Sequence, residues 1–519
     1  MTPFDLLVIG AGCNGAALAH EAVRRGLRVA VLEAGDPAQG TSSRSTKLLH
    51  GGVRYLELAV RRFDPAQLRL VRQALAERRH WITAAPFLAR ELRIALPTTG
   101  PLAQLYYRLG LGLYDLLAGS EGLKPTGAAG LEDLHQAFPQ LDPSFRSALL
   151  YSDGQFDDAR LNLLLLLTAR QAGACIERDC RVVGFESGQG DLQTVIGQHP
   201  EGRQSRWPAR VIVNAAGVAA DQLRQLADPQ APPRLLVSRG THLVLREQLC
   251  RGRAGLLVPR SSDGRVLFIL PFLGHTLVGT TDVPCEAAEA TAVSDQEKQF
   301  LLDHLRAWFP LAPDISVSSA WAGGRPLLRP ATNQASSRVV REHEVELLPN
   351  GLISVLGGKW TTCRLVALQA LEAVAERLGR QLPPPVSLPL IGSADQPERT
   401  TAALEQQRQM LLQQIPDHPQ RQAQVEHLQS SFGLLASQVL AEARSEAELL
   451  PLSQVLPVCA AEWRYGARHE LARNPQDLLA RRSRIWTLDQ AEAARLAPLA
   501  ATLLEEERST SPSSHQQNP

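Results

Sequence analysis

Phe4-Asp5-Leu6-Leu7-Val8-Ile9-Gly10-Ala11-Gly12-Cys13-Asn14-Gly15 reads as a strand, a glycine turn and the first turn of a helix. The apolar run suits a strand buried on both faces. Gly10 allows a sharp turn, Gly12 lets the backbone approach a pyrophosphate, and Gly15 lets the helix pack on the strand. A phosphate at that point meets free N–H groups and the positive end of the helix dipole. A second strand over 28–33 completes a βαβ unit. It ends at Glu33, near the ~20-residue offset at which an acidic side chain accepts ribose hydroxyls. These residues mark a dinucleotide site, and by themselves they do not separate FAD from NAD.

A second glycine turn, Gly357-Gly358-Lys359-Trp360-Thr361-Thr362, lies far downstream between a buried strand (352–356) and a helix (361–378). It implies that the chain returns late to its first domain and brings another helix start to the same cofactor, which favours a flavin. The plainer alternative is a packed βα turn with a solvated lysine. Between the two turns runs a loop of small hydroxyl residues and glycines, 40–55. Its hydroxyls suit phosphate and ribityl oxygens, and Gly51-Gly52 would let backbone lie close to a flat ring. A flexible surface loop has the same composition, but this one also carries Lys47, His50 and Arg54.

A length of 519 residues allows two or three domains with well-buried cores. The expected fold class is α/β: a Rossmann-like FAD-binding domain with an inserted antiparallel-sheet substrate domain, followed by a C-terminal all-α domain. The FAD-binding domain is expected in three pieces, 1–90, 151–233 and 346–380. A substrate/cap segment is expected over 91–150 and an antiparallel substrate-binding domain over 234–345. A proline-dense linker (381–394), a helical region (395–505) and a polar, disordered tail (506–519) complete the chain.

The net charge of +1 lacks the basic excess of a nucleic-acid binder. Seven scattered cysteines with no C-x-x-C spacing argue against a disulfide framework or a zinc site and for a reducing compartment. No metal site is expected. The N-terminus enters a strand too soon for a signal peptide, and no apolar run approaches the ~20 residues that span a bilayer. Only four of the 54 basic residues are lysines (Lys47, Lys124, Lys298 and Lys359), and two of these fall in the motifs above. Where arginine is the default cation, such a lysine raises the question of a compact, titratable ammonium.

GAGCNGAALA (10–19), TSSRSTKLLHGGVRYLE (41–57), SRGTHLVL (238–245), GTTDV (279–283), AGGRPL (322–327) and LGGKWTT (356–362), in that order, resemble the FAD-dependent, respiratory-type glycerol-3-phosphate dehydrogenases. This family lies in the superfamily of glycine oxidase and D-amino-acid oxidase. The resemblance continues more weakly through EWRYGARHELARNPQDLLARRSRIWTLD (462–489). It implies oxidation of sn-glycerol 3-phosphate to dihydroxyacetone phosphate by hydride transfer to noncovalent FAD, with electrons passed to a membrane quinone. By this resemblance the FAD contacts are Gly10, Gly12, Asn14, Gly15 and Glu33, then Thr41, Ser42, Ser43, Thr46, Lys47, Leu48, His50 and Gly51. Val182, Ala215, Gly217 and Asp282 follow, and Gly358, Lys359, Trp360 and Thr361 complete the set. The substrate would be held by Arg54, Tyr55, His242, Arg325, Arg341 and Lys359, with Arg338 a competitor of Arg341. His242, Lys359, Arg54 and Arg325 are the residues implied in the chemistry. A positive helix end beside the flavin's pyrimidine edge would stabilise developing negative charge by about 0.3–1 kcal/mol.

The base must reach the substrate hydroxyl and titrate near the working pH. His242 meets the second condition unaided, and a desolvated Lys359 is the alternative. His50 could instead anchor the flavin covalently, which the resemblance disfavours. Residues 102–117 are amphipathic enough to lie at a membrane surface or to pack on the substrate domain. The expected location is cytoplasmic with peripheral attachment to the inner face of the cell membrane, and a homodimer is entertained as the assembly. An oxygen-reducing glycerol-3-phosphate oxidase, an amine or amino-acid oxidase on the same scaffold, and a flavin-binding interaction protein remain as rival readings.

Overall fold

A computed structural model describes residues 2–52, 65–187, 193–251, 254–310, 315–329 and 343–510. Two sheets organise it. At the centre of the first, Phe4–Ile9 runs parallel to Val29–Leu32 on one side and to Gln204–Asn214 on the other. Cys175–Glu177 and Ile353–Gly357 extend the parallel ladder, and His343–Leu347 closes one edge antiparallel. Alternation along the strands explains why both faces are apolar. Leu6, Val8, Val29, Val31 and Val213 pack against the helices Cys13–Val23, Asp158–Gln171 and Cys363–Leu378. Leu7, Ile9, Ala30, Leu32 and Ile212 face the opposite side, towards the hairpin Arg181–Ser187/Gln193–Gln198. The late strand therefore does rejoin the first domain.

The second sheet is built on the long antiparallel pair Leu235–Leu245 and Val317–Leu328. His275–Gly279 pairs with the first of these, and Leu267–Phe272 and Ala254–Val258 follow in order. Three details differ from the expectation. Within the substrate/cap segment expected over 91–150, Ala89–Thr98 and Ser147–Phe156 are full members of this sheet, so its chain enters near 89 and leaves near 156. Ala254–Val258 joins Ala89–Thr98 in parallel, so the sheet is mixed and not purely antiparallel. His343–Leu347 belongs to the first sheet rather than to the second. The strand Ala89–Thr98 is buried on both faces over its second half, with Leu92, Ile94 and Leu96 on one face and Ala95 on the other.

The proline-dense stretch expected as a linker is a packed strap. Val386 exchanges hydrogen bonds with Arg24 on the first helix, and the Ile391 N–H donates to Thr168. The final helix, Gln490–Thr510, runs past the expected start of the tail at 506. The helical region is clamped to the nucleotide domain by buried charge. Arg160 makes a forked pair with Glu470 at 2.7 and 2.8 Å. Asp36 accepts from Arg178, Arg481 and Arg482. Burial pushes the Asp36 carboxyl up, but those three guanidiniums outweigh it and hold the group below the usual carboxylate range.

At the first turn, Gly10 adopts φ +102°, and a Cβ on Gly15 would sit 1.9 Å from the Gly10 carbonyl oxygen. The helix can approach the strand this closely only because the side chain is absent. Gly15→Ala is therefore expected to cost about 1–3 kcal/mol by overpacking, read as a lower urea midpoint. An unchanged midpoint would mean that the contact is not tight.

Candidate active site

A cavity of about 1160 Å³ lies between the two sheets. That is just above the usual range for ligand pockets, enough for an extended dinucleotide with a small molecule beside it. Its floor is the first glycine turn, where Gly10, Gly12, Cys13 and Asn14 face the space. Glu33 lines it from the end of the second strand, its carboxylate accepting the N–H groups of Ala11 and Gly35 at 2.7 and 3.0 Å. Burial pushes this carboxyl up, against the pull of those two N–H groups. Val182, Ala215 and Gly217 line the adjoining wall.

The late turn closes the opposite side with Gly358, Lys359, Trp360 and Thr361, all on the cavity. A 3₁₀ turn, Trp360–Thr362, precedes the helix Cys363–Leu378. Hydrogen bonds stitch this turn to the start of the chain. Asn14 donates to the Gly357 carbonyl at 3.3 Å, the Trp360 indole to the Ser42 carbonyl at 2.8 Å, and the His50 N–H to the Thr361 hydroxyl at 3.2 Å.

The hydroxyl loop contributes Thr41, Ser42, Thr46, Leu48 and His50 to the cavity, but not all of its expected residues. Lys47 turns away and is fully buried. Its ammonium lies 2.6 Å from Asp158 and 2.8 Å from the Ser43 carbonyl, and 4.6 Å over the Trp321 ring. Burial lowers its pKa and Asp158 opposes the shift. Ser43 is likewise buried away from the space, and Gly51 gives its N–H to the Tyr114 hydroxyl while Gly52 takes the lining position. Gly15 shapes the turn without lining the cavity. Arg54, Tyr55, Arg338 and Arg341 lie outside the described residues.

From the second sheet come His242, Asp282 and Arg325. Arg325 donates to the Thr281 carbonyl at 3.1 Å and to the Thr280 hydroxyl at 2.9 Å, with Asp282 at 3.5 Å. The Ser238 hydroxyl donates to Asp282 in turn. The His242 Nε2 stands 2.9 Å from the Thr46 hydroxyl, and its ring stacks on Trp321 at 4.4 Å. Burial, then the charges of Lys47 and Arg325, hold His242 well below its ordinary 6.5. The sequence reading missed Asp158, Trp321 and Asn162, which donates to the Ala11 carbonyl at 2.9 Å. None lies in a glycine or cation motif, so no local pattern pointed to them.

Among the described residues, Asn14 on the cavity wall has its Oδ1 buried with no hydrogen-bond partner, a polar atom left for an occupant to satisfy. Together with the bare glycine cradle at a helix start and the Glu33 carboxylate, it fits a flavin dinucleotide. A parallel sheet with this turn, opposed by a second sheet carrying a buried histidine and an arginine, defines a dinucleotide-dependent oxidoreductase.

Comparison with known proteins narrows the class. The FAD dependent oxidoreductase family profile matches residues 5–368, and that of the C-terminal domain of alpha-glycerophosphate oxidase matches 386–515. The mitochondrial glycerol-3-phosphate dehydrogenase of Arabidopsis thaliana is 36% identical over 97% of this chain and 83% of its own. The human mitochondrial enzyme is 33% identical over 96% and 70%. Among solved structures, the glycerol-3-phosphate dehydrogenase of Bacillus halodurans complexed with FAD has a TM-score of 0.76 at 26% identity, covering 98% of this chain and 92% of that one. The chain belongs to the FAD dependent oxidoreductase family, in its glycerol-3-phosphate dehydrogenase branch, and FAD is its cofactor.

Glu33→Gln is expected to weaken FAD binding by about tenfold or more, since a hydrogen bond to a charged group is worth about 1.5–3 kcal/mol. Titrating apoprotein with FAD and following flavin fluorescence measures it. Unaltered affinity would remove Glu33 from the cofactor site.

Proposed function

We propose that this protein oxidises sn-glycerol 3-phosphate to dihydroxyacetone phosphate and passes the electrons to a membrane quinone. The observation that carries this reading is the meeting of His242, Arg325 and Lys359 in the same cavity as both glycine turns. The names of relatives 33–36% identical over nearly the whole chain support it. FAD supplies the hydride acceptor. Arg325, held in place by Thr280, Thr281 and Asp282, offers a guanidinium fork suited to phosphate oxygens. Lys359 adds a second cation, and Arg54 and Arg341 remain proposed partners by resemblance. His242, whose Nε2 meets the Thr46 hydroxyl, is the proposed acceptor of the substrate's hydroxyl proton; burial and the charges of Lys47 and Arg325 make it a weaker base than the near-neutral imidazole expected from the sequence.

The acceptor reading rests on the helix Pro101–Ala118. Leu111, Tyr114 and Ala118 bury one face against the second sheet, while Leu102, Leu109 and Leu116 are 85%, 69% and 75% exposed. These three fall on one stripe by helical spacing. Tyr107, Leu109 and Leu113 also line the cavity, so the helix that carries the exposed stripe borders the site. The two readings of this segment are thus compatible: it packs on the substrate sheet and offers an apolar face outward. No helix among the described residues is long and apolar enough to cross a membrane. We read the stripe as a peripheral contact through which quinone reaches the flavin.

Two outcomes check this. Anaerobic glycerol 3-phosphate should bleach the yellow holoenzyme, with kcat/KM flat from about pH 8 to 6.5, because a histidine held well below 6.5 is already neutral there. A rise in rate as pH increases from 6.5 to 8 would instead favour a lysine base, and absence of bleaching would reject the substrate. Leu102→Ser/Leu109→Ser/Leu116→Ser should impair reduction of quinone in liposomes while sparing reduction of a soluble dye. Equal quinone rates, or rapid peroxide formation in air with no use of quinone, would contradict the acceptor.

A further inference from the structure

Among the described residues, the C-terminal helical domain contributes none to the cavity, yet the segment from Arg484 to Leu488 touches both supports of His242. We infer that this segment positions His242 and so makes the C-terminal domain a working part of the active site. The inference rests on His242 being the proton acceptor proposed above.

One support runs through charge. Arg484 takes the left-handed conformation, φ +64°, where the chain leaves the π-helical turn Asp477–Arg482. From there its buried guanidinium donates to Asp158 at 3.0 Å and to the Ser43 carbonyl at 3.2 Å. The other Asp158 oxygen receives the Lys47 ammonium at 2.6 Å and both the N–H and hydroxyl of Ser45, at 2.9 and 2.7 Å. Thr46 is therefore fixed between two residues that Asp158 holds, and its hydroxyl is the one 2.9 Å from His242 Nε2.

The second support runs through the ring stacked on His242. The Trp321 indole donates to the Thr487 carbonyl at 3.2 Å. Two neighbours on the same strand do likewise: Ser319 bonds the Trp486 carbonyl at 3.0 Å and Ser318 the Leu488 carbonyl at 2.6 Å. Three consecutive carbonyls of the C-terminal domain thus set the strand and the indole plane, and the indole sets the imidazole. His242 is held between Thr46 and Trp321, and both holds end within a five-residue segment of the distant domain.

The test uses the full-length holoenzyme and the variants Arg484→Gln, Arg484→Lys and Trp321→Phe, the last keeping an aromatic ring but losing the indole donor. Flavin bleaching is followed anaerobically with dithionite and with saturating glycerol 3-phosphate. Arg484→Gln and Trp321→Phe should keep their FAD and reduce normally with dithionite. Their maximal rate with substrate should fall about tenfold to a hundredfold, the scale for a misplaced catalytic group, with the half-saturating concentration little changed. Arg484→Lys should recover part of the rate lost in Arg484→Gln. Wild-type substrate rates in FAD-loaded Trp321→Phe and Arg484→Gln overturn the inference, as does loss that follows FAD content alone. If Arg484→Gln does not fold, Trp321→Phe decides. A wild-type protein that dithionite bleaches and glycerol 3-phosphate does not would overturn the substrate reading itself.

Discussion

Asp158 is a carboxylate with no exposed surface, and two distant parts of the chain close on it. It belongs to the first turn of the helix Asp158–Gln171 in the nucleotide domain. Lys47 reaches it from the hydroxyl loop and Arg484 from the C-terminal domain. Moving such charges out of water is costly, and breaking a buried pair by removing one partner typically costs about 3–5 kcal/mol. The cluster therefore constrains more than it stabilises. The loop can take only the path in which Lys47 points inward, which leaves Thr41, Ser42 and Thr46 facing the cavity.

The same logic joins the domains. Arg160–Glu470 and the Asp36–Arg178–Arg481–Arg482 group are buried between the nucleotide domain and the C-terminal helices, where no swinging motion can occur without exposing unpaired charge. The C-terminal region is fixed in place and is not a tethered accessory. The helix Pro101–Ala118, by contrast, borders the cavity with Tyr106, Tyr107, Leu109 and Leu113 rather than with ion pairs. The molecule thus separates a polar, charge-locked part of the site from an apolar part.

The glycine turns were readable because only glycine meets their requirements. Gly10 needs positive φ, and Gly15 has no room for a Cβ. The late return of the chain was legible for the same reason. The direction of Lys47 was not, since a lysine in a phosphate-like loop reads as a ligand until its partner, 111 residues away, is seen. Ser43 followed it inward. The strand Ser147–Phe156 was hidden by Ser152, Asp153 and Gly154, polar or small residues buried because Arg78 donates to Asp153 and to the Ser152 carbonyl. The proline-dense strap looked like a linker because its hydrogen bonds go to the end of the helix Cys13–Val23 and to the helix Asp158–Gln171 through Arg24 and Thr168, which carry no local signal. Arg484 and Trp321 act through contacts more than 160 residues apart, beyond any spacing rule.

The central claim is that one cavity holds the flavin and a sugar-alcohol phosphate so that a hydride passes between them while His242 takes the proton. Stopped-flow reduction with glycerol 3-phosphate deuterated at carbon 2 measures this step directly, without oxygen or acceptor. The account predicts slower flavin bleaching with the deuterated substrate than with the ordinary one. Identical rates for the two, with bleaching limited by the chemical step, would contradict it.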